Sequence, residues 1–91
     1  MINMDEKIPI KSKNLKIIDY KGILYATLDG EKIWEMDNLI YKLLQECDGN
    51  KTFEDIARMI SKKSGLNVED IKIGLKEIFD ELERAKFIEY V

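Results

Sequence analysis

Glu31-Lys32-Ile33-Trp34-Glu35-Met36-Asp37-Asn38-Leu39-Ile40-Tyr41-Lys42-Leu43-Leu44 is the stretch that decides the fold, because the hydrophobic period changes inside it. Up to Met36 the pattern reads as a strand. Beyond Asp37, residues Ile40, Leu43, Leu44 and Cys47 recur at helical spacing and share one face. Asp37 is suited to cap that helix through its carboxylate. Met36 just before it and Tyr41 four positions in form a hydrophobic staple.

Two further runs precede this stretch. Leu15 to Tyr20 alternates and is bounded by Lys21-Gly22, which predicts a strand and a tight turn. Ile23 to Leu28 is rich in β-branched and aromatic residues, and Asp29-Gly30 is a strong hairpin signal. Three strands, the third over residues 31–36, then make an antiparallel meander. With Met36 facing the helices, Trp34 shares its face, and Ile33 and Glu35 point away. Residues 1–13 are polar and punctuated by Pro9, so a loosely ordered arm is expected there, with the domain itself over 14–91.

On the other side, Gly49 is expected to close the first helix as a left-handed cap. Thr52 opens a second helix, with Asp55 completing a variant capping box. Phe53, Ile56, Ala57 and Ile60 form its stripe, and Gly65 ends it. Asn67 caps a third and longest helix. Its residues Val68, Ile71, Leu75, Ile78, Phe79, Leu82 and Ala85 fall within about 120° of arc. Phe87 to Val91 is a short extended tail. The fold class is α+β: a three-stranded antiparallel meander followed by a three-helix, winged-helix-like bundle.

The 91 residues include no His and one Cys, which excludes a His-based triad, a disulfide within the chain and a Cys-cluster metal site. No catalytic residue and no cofactor site are expected, so the chain does not read as an enzyme. The net charge is −3. Six lysines oppose seven carboxylates up to Asp37, and nine Lys plus Arg oppose eleven carboxylates after it, so neither half has the basic footprint of a nucleic-acid binder. The acidic pairs Glu54-Asp55 and Glu69-Asp70 suit helix first turns. Cys47 reads as a buried structural thiol, its pKa raised by Glu46 and Asp48. No basic start with an apolar run is present, and no apolar stretch is long enough to span a membrane. With a lone Cys, these features point to the cytoplasm.

The third strand, Glu31, Lys32, Ile33, Trp34, Glu35 and Met36, lies at a sheet edge if the meander order is sequential. Such an edge either takes a guest strand or is protected by charges such as Lys32 and Glu35. The stretch Leu43-Leu44-Gln45-Glu46-Cys47-Asp48-Gly49-Asn50-Lys51-Thr52-Phe53-Glu54-Asp55-Ile56 resembles the signature of the PqqD family, with its Cys-Asp-Gly-x-x-Thr core. The resemblance extends over nearly all of residues 15–91. Lys86 stands where family members often have Gly, and Asn38-Leu39-Ile40-Tyr41 is bulkier than the small residues common there.

The resemblance implies a non-catalytic, chaperone-like RiPP recognition element. Such modules capture the leader of a ribosomally made precursor peptide and present it to a modifying enzyme, often a radical SAM enzyme. The leader is expected to add as a strand at residues 31–36, in a groove walled by the third helix. On that helix Lys72, Lys76 and Glu83 lie beside the core stripe with Phe79 at its edge, and the two lysines are spaced to take acidic side chains of a leader. The opposite flank carries Gly74 and Ala85. Ile73 lies nearly opposite the core and is the expected docking point for the enzyme or a second copy. A monomer or weak dimer is expected, with no nucleic-acid or membrane partner. The competing readings are a winged-helix DNA-binding regulator and a structural subunit of a larger enzyme.

Overall fold

The computed structural model describes residues 3–91. After a 3-10 turn at Met4–Glu6 come β1 (Pro9–Lys11), β2 (Lys16–Tyr20), β3 (Ile23–Thr27), β4 (Trp34–Met36), α1 (Asn38–Glu46), α2 (Phe53–Ser64), α3 (Val68–Arg84) and β5 (Ile88–Tyr90). The central unit is an antiparallel sheet in the order β2-β3-β4, followed by three helices, an α+β fold.

Local chemistry explains most of these elements. Lys21 and Gly22 both have positive φ, the two-residue turn whose twist suits a hairpin, and Gly22 N–H donates to the Asp19 carboxylate. Asp37, Thr52 and Asn67 cap the three helices through side-chain oxygens. Thr52 and Asp55 close a reciprocal capping box, each accepting from the other's backbone N–H at 3.0 Å. Gly65 ends α2 in the left-handed region.

The third strand is shorter than its sequence suggested. Glu31, Lys32 and Ile33 lie in the connection before β4. The Asp29 carboxylate accepts the backbone N–H groups of Glu31 (2.8 Å) and Lys32 (3.0 Å), which holds that segment as a loop. The register of β4 is as expected: Met36 is buried, Trp34 shares its side, and Ile33 and Glu35 are exposed.

The expected loose arm is largely a built element. Met1 and Ile2 lie outside the described residues. From Lys7 onward the segment is stitched down at several points. β1 pairs antiparallel with β5, Pro9 opposite Tyr90 and Lys11 opposite Ile88. Lys7 O accepts from Phe53 N–H at 2.7 Å, Pro9 O accepts from Gly49 N–H, and Lys11 N–H donates to Cys47 O. A proline is tolerated as the first strand residue, and here Pro9 is fully buried. The partner strand lies at the other end of the chain, so no local pattern announces the pairing.

The helix ends also depart from expectation. α1 ends at Glu46 with Cys47 as its cap, so Gly49 is not that cap. Gly49 sits two residues further on at φ +82°, where a Cβ would lie 3.1 Å from Ile10 Cδ1. The residue after the α3 cap is Lys86, at φ +67°. Lys86 N–H donates to Glu83 O and Phe87 N–H to Leu82 O, which is a Schellman ending with lysine in the place that favours glycine. Ala85, expected in the apolar stripe, is the exposed cap.

The core joins Leu43 and Leu44 of α1, Phe53, Ile56 and Ala57 of α2, Leu75, Phe79 and Leu82 of α3, and Ile88 of β5. Phe53 and Phe79 meet edge-to-face at 5.7 Å, an arrangement that adds about 0.5–1.5 kcal/mol beyond burial.

The two left-handed positions make opposite predictions. Lys86→Gly should stabilise the protein by about 0.5–1 kcal/mol, by relieving the Cβ penalty. Gly49→Ala should destabilise by about 1–2 kcal/mol, from the same penalty and the Ile10 contact. Urea unfolding midpoints at constant slope measure both.

Candidate functional site

β4 has β3 on one side, and no described strand pairs its other edge. Leu24, Tyr25 and Ala26 of β3 stand opposite Met36, Glu35 and Trp34. The inward side therefore presents Trp34 and Met36, and the outward side Glu35. Trp34 remains 43% exposed while its ring rests edge-on against Phe87 at 5.6 Å. Beside it lies a hollow of about 210 Å³ walled by Trp34, Met36, Ile40 and Phe87.

The α3 residues expected to face this edge have other tasks. Lys72 is the clearest case. Its side chain is 13% exposed, and its ammonium lies 3.1 Å from Asp5 and 2.9 Å from Glu54. Hydrogen bonds to Glu54 and then Asp5 raise its pKa, and Lys72 in turn lowers that of Glu54. Lys72 thus ties the N-terminal turn and the start of α2 to α3. Lys76 pairs with Asp80 at 2.8 Å along the same helix. Phe79 is fully buried against Phe53 and lines no groove. Glu83 faces a different hollow, shared with Ser12, Asn14, Lys86 and Tyr90. The structure does not gather these four residues beside β4. Ile73 is 67% exposed on the outer side of α3.

The open flank of α3 is the other one, carrying Gly74. Between α1, α2 and α3 runs an apolar groove of about 480 Å³, lined by Leu39, Leu43, Ile60, Ile71, Gly74 and Ile78. Nothing lies within 4 Å of a Cβ built on Gly74, so glycine leaves that wall open. Leu39 and Leu66 stand at the groove largely exposed, with Lys42, Lys63, Glu46 and Asp70 also lining it. Leu39 lines this groove and Ile40 the hollow at Trp34, so both open beside the first turn of α1. The sequence signal for this groove was a glycine inside an otherwise regular helix, one turn from Ile71 and Ile78.

The remaining titratable groups are structural. Cys47 is buried, donates to Leu43 O at 3.4 Å, and is pushed up to about 12 by burial and then by Asp48 and Glu46. A thiol so held is neutral and a poor nucleophile. Burial likewise raises Tyr90 to about 12. Among the described residues no group of His, Cys, Asp and Glu is placed to hold a metal ion, and no helix is long and apolar enough to cross a membrane. What the arrangement offers is backbone pairing and apolar contact.

Lys72→Gln should lower the thermal midpoint near neutral pH. Because the folded-state pKa of Lys72 is raised, its contribution is complete below the ordinary lysine range and lost as pH rises through and above it. The difference between variant and wild type should therefore shrink in strong alkali. Calorimetry across this pH range measures it.

No family model matches the chain, and neither a curated protein nor a solved structure was found similar to it.

Proposed function

We propose that this chain is a non-catalytic module that binds an extended peptide by strand addition at the edge of β4, Trp34–Met36, with the Glu31–Ile33 loop beside it. The carrying observation is the open β4 edge with a half-exposed tryptophan above an apolar hollow. A three-residue edge supplies two or three backbone hydrogen bonds, each contributing about 0.5–1.5 kcal/mol net. Their sum, about 1–4.5 kcal/mol, at most meets the low end of the cost of association, about 4 kcal/mol or more, and leaves no surplus for affinity. Peptide side chains must therefore enter the hollow or the groove, where burying about 100 Å² of apolar surface contributes about 2.5 kcal/mol.

The Asp48-Gly49-x-x-Thr52 stretch and its resemblance to the PqqD family suggest the kind of peptide: the leader of a ribosomally made precursor. In this reading the module presents the leader to a separate modifying enzyme of the radical SAM type. The exposed Ile73 on α3 is the proposed docking point, since it is a large apolar side chain that takes no part in the core. The protein is then a monomer or weak dimer of the cytoplasm, and the module needs no cofactor.

Trp34 is the only tryptophan, so its fluorescence reports binding directly. Adding a candidate leader peptide should change that emission and shift the amides of residues 31–36 together with the Gly74 flank of α3. Trp34→Ala should weaken binding about tenfold or more, with the unfolding midpoint measured alongside to separate lost contact from lost fold. Shifts confined to α2 and α3 on adding duplex DNA, with none from the leader, would favour a regulator instead. Ile73→Asp should leave leader affinity unchanged while modification by the partner enzyme falls.

A further inference from the structure

The register of the sheet says what a strand bound at β4 must carry, and this step rests on the peptide-binding reading above. Ile18 of β2, Tyr25 of β3 and Glu35 of β4 stand opposite one another in turn, so they form one row across the outer side. A guest strand beside β4 extends that row by one residue, placed against the Glu35 carboxylate. Its two neighbours point the other way, toward Trp34, Met36 and the hollow walled by Ile40 and Phe87.

Glu35 has no ion-pair partner among the described residues, and neither has Glu31. Along residues 29–37 the exposed charges are Asp29, Glu31, Glu35 and Asp37 against Lys32 alone. Asp29 and Asp37 accept backbone N–H groups, which leaves their charge in place. The lysines that were expected to attract an acidic leader are held by carboxylates: Lys72 by Asp5 and Glu54, Lys76 by Asp80. Along this segment carboxylates therefore outnumber cations, which favours a cationic guest.

We infer that the peptide recognised at β4 is basic there: a Lys or Arg faces Glu35, flanked on both sides by apolar residues that turn toward Trp34 and Met36. Opposite charges directly across neighbouring strands attract and like charges repel, so the same edge rejects an acidic residue at that position.

Two synthetic peptides test this, alike in an alternating apolar sequence but with Lys or Glu at every outward position. Titrations followed by Trp34 emission and amide shifts should show the Lys peptide binding about tenfold tighter at low salt, with the advantage shrinking at high salt. Glu35→Lys, at an exposed position, should narrow or reverse the preference. Equal binding of both peptides at β4, unmoved by Glu35→Lys, would overturn the charge rule and leave strand addition standing. If neither peptide perturbs Trp34 or the amides of residues 34–36, strand addition itself falls, and this inference with it.

Discussion

The pairing of Pro9–Lys11 with Ile88–Tyr90 is the constraint on which the rest of this molecule depends. β1 runs between β5 and the Cys47–Gly49 turn, receiving the Gly49 N–H and giving its own Lys11 N–H to Cys47. It thereby joins both chain ends to the point where α1 gives way to α2. Ser12 N–H continues the contact by donating to Phe87 O. Phe87 is the residue on which Trp34 rests. A terminal strand pair thus fixes the floor beneath the edge strand, and the shape of the candidate site is inherited from it.

Charge is divided between structure and surface in a way that composition conceals. The net value of −3 says little. Lys72 lies among Asp5, Glu54 and Glu69, the last more distant at 3.7 Å, while Lys51 bridges Glu46 and Asp48. These cations sit where elements meet, in the N-terminal turn, the α1–α2 connection and the first turns of α2 and α3. The β4 side keeps an excess of carboxylates. Packing, by occupying particular lysines, decides which charges remain unpaired at the surface.

On the proposed peptide-binding reading, the module works by backbone and shape. Its one thiol and its buried phenol are held neutral, and its carboxylates cap helices, pair with lysines or face solvent. On that reading the short β4 would give direction and register to a guest but little affinity. Selectivity must then come from the apolar hollow, the groove beside α1 and the outward Glu35.

The meander, the three helices and their N-terminal caps were legible in the sequence because each is set within a few residues. Lys21-Gly22 makes its own turn, and Thr52 and Asp55 bond to each other across three positions. The side of β4 that carries Trp34 and Met36 followed from alternation alone. Other features needed the folded chain. The loop at Glu31–Ile33 depends on which N–H groups the Asp29 carboxylate reaches, and β1 is a strand only because β5 returns to it. Helical angles placed Lys72 and Gly74 on opposite flanks of α3 but gave no means of choosing the open one. That was decided by Asp5 and Glu54, which converge on Lys72 from distant parts of the sequence, while α1 leaves the Gly74 side uncovered. Periodicity fixes which residues share a face; only contacts between elements fix what that face meets.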